Sequence, residues 1–399
     1  MKDRLSGKTL ILGLQHVFAM FGATVLVPIL TGLNPSVALF GAGLGTLIFH
    51  LCTKGIVPVF LGSSFAFISA IQYIGAKYGL EYALGGCIVA GFMYLIYALI
   101  IHFIGADKIR QWLSPTVTGT MIIIIGLTLA PSVINSYIVE ADVGTLEQRW
   151  IIAFSVMLTM VIVSIYAKGF FKLIPILFGI AIGYIISSIF GLVDFTVLSN
   201  AKWFEIPQFI FPKFNLESIL YIAPISLVTF MEHIGDVTTI GNTVGQDFFK
   251  EPKITRTLMG DGIATMFAGM IGAPPNTTYS ENTGVIAITK VYNPFILRVA
   301  AVISIILAFI GKLGILLQTI PAPIMGGISI ILFGFIASVG IRTLIDAKVD
   351  FSNNKNALIC AIMLVLGISG VVLPIGELKL AGLSLSALVG IILNIMLPD

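Results

Sequence analysis

Glu232 and Asp236 are carboxylates set in a largely apolar stretch, and Glu281 lies in a polar stretch flanked by apolar sequence. Such a side chain is costly to bury, so each one is a candidate for function. Glu232 and Asp236 are four residues apart, which puts both on one face of a helix. At membrane depth, two carboxylates on one face cannot cheaply both be ionised, because desolvation and mutual repulsion act together. One of the pair is therefore expected to carry a proton or to hold a cation. The alternative for Glu232 is a helix-packing hydrogen bond, and for Asp236 a buttress to Glu232 or to a backbone group. Glu281 stands where a polar, extended stretch meets a helical one.

The remaining reactive side chains point away from catalysis. His16 follows Gln15 and is expected to make a helix-to-helix hydrogen bond rather than a ligand contact. His50 and His102 lie near helix ends and read as interfacial. His233 points about 100° away from Glu232 on a helix and reads as structural. Cys52, Cys87 and Cys360 form no CxxC pair, so neither a disulfide framework nor a zinc site is implied. There is no HExxH motif and no nucleophile elbow. Gly7-Lys8-Thr9 looks like the end of a phosphate-binding loop, but its earlier glycine would fall at Lys2. Neither an enzyme, nor an ATP-driven machine, nor a metal or cofactor is expected.

These carboxylates must be positioned by membrane segments. The chain has 399 residues, 57% of them hydrophobic and only 10% charged, with a mean hydropathy of +1.05. Soluble domains carry about 25% charged residues, and only a bilayer absorbs this much apolar surface. The net charge of +3 excludes a nucleic-acid partner as the main theme. Apolar periodicity predicts helices near 9–30, 37–52, 83–104, 114–134, 150–167, 171–191, 216–241, 256–272, 295–319, 323–344, 356–373 and 379–397. The first is read as a span, not a signal peptide. Two interrupted segments, 58–76 and 273–290, bring the expected crossings to fourteen, with both termini on one side.

Charge asymmetry supports that count. With a cytoplasmic N-terminus, only Lys77, Arg149, Lys202, Lys213, Lys312 and Lys379 of the 22 Lys and Arg residues fall on the outer side. The two halves also resemble each other. Ser114-Pro115 to Gly119, followed by Gly126, matches Ala322-Pro323 to Gly327, followed by Gly334. Gly62-Ser63-Ser64-Phe65 sits over Asn276-Thr277-Thr278-Tyr279. Seven crossings per half is an odd number, so the halves insert with opposite orientation. Inverted repeats of this kind are a transporter architecture, with the solute held near the midplane where interrupted segments meet.

Within 273–284, Pro274 and Pro275 bar a helix start upstream, and Thr277, Thr278 and Tyr279 favour extended backbone. Its counterpart runs from Leu61 to Phe67. Extended backbone inside a membrane must pair or line a cavity. The two strands are therefore expected to pair with each other, each leading into a half-helix with an electropositive N-terminus. The alternative is an ordinary outer loop. Gly119, Gly126, Gly327 and Gly334 are expected on a pair of helices that slide against the rest.

The stretch Glu281-Asn282-Thr283-Gly284-Val285-Ile286-Ala287-Ile288-Thr289-Lys290 resembles the signature of the nucleobase–ascorbate transporters, also called the nucleobase–cation symporter-2 family. That signature is an acid or amide, Asn, any residue, Gly, four residues, Thr and a basic residue. Gln15 to Pro28, Leu61 to Ser69 and Asn276 to Tyr279 are similar to the uracil-transporting bacterial branch. The resemblance covers nearly the whole chain. It implies an all-α polytopic membrane protein of fourteen transmembrane segments in two inverted repeats of seven, with two short antiparallel strands at the midplane. It implies a core domain from 1–112 and 214–321 and a gate domain from 113–213 and 322–399.

Carried over by position, the resemblance implies that Glu232 and Glu281 hold a nucleobase. The backbone near Phe65 and Ser280 adds hydrogen bonds, and Ala23 and Tyr279 line the pocket. Glu232 and Asp236 take part in proton coupling. Asn282, Gly284, Thr289, Gln15 and His16 belong to the signature or its support. Two departures stand out: relatives in this branch often carry Gly where this chain has Ser280, and some carry His in place of Asp236. The implied activity is uptake of uracil with a proton across the inner membrane by alternating access. The implied partners are uracil, the proton, the lipid bilayer and a second copy in a homodimer, with both termini cytoplasmic. The alternatives are sodium as the coupling ion, xanthine or another purine as the solute, and an uncoupled facilitator or channel.

Overall fold

The computed structural model describes residues 5–199, 201–376 and 378–398. The first half comprises α1 (Gly7–Thr31), α2 (Pro35–Cys52), β1 (Leu61–Ser63), a 3-10 turn (Phe65–Phe67), α3 (Ile68–Tyr78), α4 (Leu80–Ile104), α5 (Ala106–Trp112), α6 (Pro115–Ile134), α7 (Leu146–Tyr166), α8 (Pro175–Ile189) and the short α9 (Thr196–Ser199). The second half comprises α10 (Leu216–Ile222), α11 (Ile225–Val244), α12 (Ile254–Ile271), β2 (Asn276–Thr278), α13 (Ser280–Thr289), α14 (Pro294–Ala308), α15 (Gly311–Gln318), α16 (Ala322–Asp346), α17 (Asn354–Ile368), β3 (Val372–Ile375), β4 (Leu378–Ala381) and α18 (Gly382–Met396). Among the described residues, seven helical spans are long and apolar enough to cross a membrane, and four shorter helices are also apolar.

Local chemistry explains where these helices begin. Ser6 and Thr9 form a capping box at α1, and Thr145 with Gln148 forms one at α7. Asn34 accepts from Ser36 and caps α2, with Pro35 at its first position. Gly7-Lys8-Thr9 is therefore the first turn of a capped helix.

The interrupted segments do meet. β1 and β2 pair antiparallel, with Leu61 opposite Thr278, Gly62 opposite Thr277 and Ser63 opposite Asn276. Ser64 N donates to Pro275 O at 2.8 Å, and Tyr279 N donates to Phe60 O at 3.1 Å. A two-stranded sheet has two open edges, and in this apolar interior they are closed by side chains. Thr46 Oγ1 accepts from Leu61 N at 2.9 Å. Thr265 Oγ1 donates to Asn276 O at 2.9 Å, and Tyr279 Oη donates to Ser63 O at 2.9 Å. Asn276 Nδ2 ties β2 to α2 through Gly41 O at 3.1 Å.

Two groups of helices pack around this pair. α4 lies along α12, and α2 packs between α12 and α14. In the other group α6 lies along α16, α7 along α8, and α17 along α18. Gly126 permits the α6–α16 approach: a Cβ there would stand 2.8 Å from Ala337 N. Gly334, expected in the same role, faces open space within 4 Å and does not serve close packing.

The structure departs from the expected helices in four places, the first being a break of the helix expected over 216–241 between α10 and α11, at Pro224. The helix expected over 295–319 is split between α14 and α15, because Ile310 is extended and bridges to Phe204. The helix expected over 356–373 ends at Ile368, and β3 and β4 form a hairpin in its place. Gly376 takes a left-handed φ of 63° in its turn. α18 therefore begins at Gly382, not at 379. His50 is not interfacial: it is buried, with Nε2 2.9 Å from Val59 O. His102 is exposed.

Candidate functional site

A cavity of about 860 Å³ separates the two helix groups and ends on the strand pair. Its wall on one side is α1, the 3-10 turn, α11, β2 and the start of α13. On the other side it is α6, α7, α8 and α16. Its lining also holds two cations, Lys172 and Arg342. A volume of this size holds a small organic molecule with room for water.

Glu232, Asp236, Glu281, Phe65, Tyr279 and Ser280 all line this cavity. Residues more than 200 positions apart in sequence are thus brought together. Ala23 is fully buried in α1 and is not part of the lining; its neighbours Phe18 and Ala19 are.

The three carboxylates have different surroundings. Asp236 accepts from Thr278 Oγ1 on Oδ2 and from Ser280 Oγ on Oδ1, both at 2.7 Å. Glu232, one helical turn earlier, leaves Oε2 buried with no hydrogen-bond partner among the described residues. A buried carboxylate oxygen without a donor is costly and invites one from a ligand. Glu281 lies in the first turn of α13, where unpaired backbone N–H groups gather. Phe65 packs edge-on against Phe333 of α16, with ring centroids 5.9 Å apart. That contact joins the two helix groups at the inner end of the cavity.

The signature residues act around this site. Asn282 Nδ2 donates to His16 Nδ1 and to His16 O, each at 3.1 Å, so His16 makes the expected helix-to-helix bond. Asn282 Oδ1 and Gln15 Oε1 are buried with no partner among the described residues. Thr289 Oγ1 closes onto Val285 O at 2.8 Å. A Cβ on Gly284 would meet nothing within 4 Å, so close packing does not require glycine there.

His233 is structural, as its direction implies. Its ring nitrogens reach Asp261 Oδ2 at 2.7 Å and Thr257 Oγ1 at 2.9 Å, all fully buried. Sequence reasoning passed over Asp261, although it is an ionisable residue inside the span 256–272. It also passed over Thr278, whose hydroxyl reads as a strand former until Asp236 is seen beside it.

At the end away from Lys172 and Arg342, charged residues from several elements meet. Glu217 of α10 accepts from Lys77 at 2.7 Å, from Lys379 of β4 at 3.1 Å and from Tyr78. Lys213 pairs with Glu81 at 3.0 Å, and that carboxylate holds the Lys213 ammonium above its usual range.

Comparison with known proteins agrees with this architecture. A sequence model described as "Permease family" matches residues 7–376. A probable uracil permease of Pasteurella multocida is 43% identical over 98% of this chain and 94% of its own length. The uracil permease of Bacillus subtilis is 43% identical over 97% and 92%, and that of Escherichia coli K12 is 39% identical over 98% and 91%. Among solved structures, the transmembrane domain of the cyanobacterial bicarbonate transporter BicA aligns with a TM-score of 0.63 at 16% identity, covering 90% of this chain and 94% of that one. The murine anion transporter Slc26a9 in its inward-facing state aligns at 0.71 and 11% identity, covering 99% and 68%. At such identities the two share the fold alone.

Proposed function

This chain belongs to the Permease family of nucleobase–ascorbate transporters, and from that premise we propose that it imports uracil together with a proton. It is a membrane transporter and not an enzyme. The observation that carries the proposal is the unpartnered Glu232 Oε2 in a cavity that Glu281 also lines, at the junction of β2 and α13. Uracil presents N–H donors and carbonyl acceptors in alternation along its edge. Glu232 and Glu281 accept from the ring N–H groups. Backbone N–H groups at the start of α13 and near Phe65 donate to the carbonyls. Phe65 and Tyr279 supply flat walls for the ring. The names of the relatives favour uracil over purines.

The coupling proton is assigned to Glu232 and Asp236, which share one face of α11 and titrate as a coupled pair. Transport proceeds by alternating access across the cell membrane. The fourteen segments form two inverted repeats of seven. The helix group holding the strand pair is the core, and the group built on α6 and α16 is the gate. With Lys172 and Arg342 on the cytoplasmic side, as the charge bias implies, the cavity opens inward and both termini are cytoplasmic.

The test is uptake of labelled uracil in cells that lack their own permease, challenged with unlabelled uracil, thymine, xanthine and uric acid. Uracil should compete best, and a protonophore should collapse accumulation. Preferential competition by xanthine would overturn the solute assignment, and sodium-dependent uptake at fixed pH would overturn the proton. Uptake that never exceeds equilibration would make the chain a facilitator.

A further inference from the structure

The start of α13 lacks an ordinary cap. Tyr279 occupies the capping position and offers no side-chain hydrogen bond to the helix. The backbone bond from Thr283 N to Tyr279 O is long, at 3.4 Å. What fixes this junction is side-chain anchoring at three successive residues. Thr278 and Ser280 both donate to Asp236 of α11, and Tyr279 donates across the strand pair to Ser63 O. Asp236 thus uses one oxygen for each hydroxyl flanking Tyr279. Ser280 and Asp236, 44 residues apart in sequence, are thus bonded directly to each other.

Resting on the nucleobase site argued above, we propose that Asp236 is a positioning residue that acts on the solute through Ser280 and Thr278. It holds the start of α13, and with it Glu281, at a fixed distance from Glu232. It also keeps the Ser280 hydroxyl occupied. Released from Asp236, that hydroxyl becomes a spare donor in the same cavity as Glu232 and Glu281. It then competes with the ring N–H groups for the carboxylates that should accept from them. A serine at position 280 is compatible with a nucleobase site because an acceptor at position 236 engages it.

The experiment measures equilibrium binding of labelled uracil to the purified full-length protein. The proteins are wild type, Asp236→Ala, Ser280→Ala and the double variant. Asp236→Ala should weaken binding about tenfold or more, as expected for removing an acceptor from buried donors. Ser280→Ala should stay within about threefold of wild type. The double variant should bind at least about threefold more tightly than Asp236→Ala alone, because the spare donor is gone. Losses that simply multiply in the double variant would overturn the proposal.

Asp236→Asn guards against misfolding, since it keeps one acceptor oxygen. Alone it should raise KM for uptake, and Ser280→Ala should partly restore that KM. Ser280→Thr, which keeps the hydroxyl, should not restore that KM. Vmax lost with KM unchanged in Asp236→Asn would also overturn it. Wild-type protein that binds no uracil would instead remove the function on which this inference rests, a result distinct from failed repair.

Discussion

At the scale of the residue, the cavity is defined by how differently its carboxylates are partnered. Asp236 accepts one hydroxyl on each oxygen, whereas Glu232 Oε2 is buried with no partner among the described residues. Glu232→Gln should therefore weaken uracil binding by about tenfold or more, since an amide offers only one acceptor oxygen to the ring. Binding measured by equilibrium dialysis checks this, and wild-type affinity would take Glu232 out of the solute contact. Glu281→Gln should weaken uracil binding similarly and shift relative preference toward purines, read by competition with xanthine. For the coupling pair, Asp236→Asn removes one titrating site. Accumulation measured across about pH 5 to 8 should then depend less on pH. An unchanged profile with full accumulation would exclude Asp236 from coupling.

At the scale of the element, pairing and close approach decide the outcome. A Cβ at Gly126 would also crowd the carbonyl of Phe333. Gly126→Val should slow uptake severalfold or more while uracil affinity stays near wild type, because it forces apart α6 and α16, the paired helices of the proposed gate. Gly334→Ala, which meets no neighbour, should have little effect on either. The contrast checks which glycines serve the helix contact, and equal damage at both would refute it.

Much of this level was legible beforehand. Pro274 and Pro275 with the Thr-Thr-Tyr run marked β2, and its likeness to Gly62-Ser63-Ser64-Phe65 marked the partner strand. The 281–290 signature marked the helix that follows. Three features were hidden for physical reasons. The β3–β4 hairpin uses apolar residues that continue a helical hydropathy signal, so only Gly370, Pro374 and Gly376 hinted at it. The break at Ile310 depends on a bridge to Phe204, more than 100 residues away, which no local pattern encodes. The hydroxyls on Asp236 were invisible because Thr278 and Ser280 reach it across the fold.

At the scale of the whole molecule, Lys172 and Arg342 in the cavity lining mark its proposed cytoplasmic mouth. α16 carries Arg342 near its C-terminal end, and α17 runs back from there to the β3–β4 hairpin. Lys379 therefore meets Glu217 on the far side from the mouth. Ser338 lies on the cavity wall one turn before Arg342. In a background with Cys52 and Cys360 changed to Ser, Ser338→Cys should react with a membrane-impermeant maleimide in inside-out vesicles. It should react far less in right-side-out vesicles. The reverse pattern would invert the proposed orientation. Because the ion pairs of Glu217 are partly exposed, Lys379→Gln should leave the melting temperature in detergent nearly unchanged. A larger loss of melting temperature in detergent would show that this end is held by more than surface charge.

The strand pair also bears on how the protein is made. β1 leaves the ribosome long before β2 exists, and its three residues cannot form a sheet alone. Until residues 276–278 arrive, the peptide groups of residues 61–63 have no strand partner in a setting that offers little water. The first half must therefore wait, inserted but unfinished, and its binding surface is completed only by the second. A chain divided in the 201–213 connection should yield fragments that bind nothing singly. Co-expressed, they should regain uracil binding, because the ladder and the Asp236 anchors need proximity and not a continuous backbone.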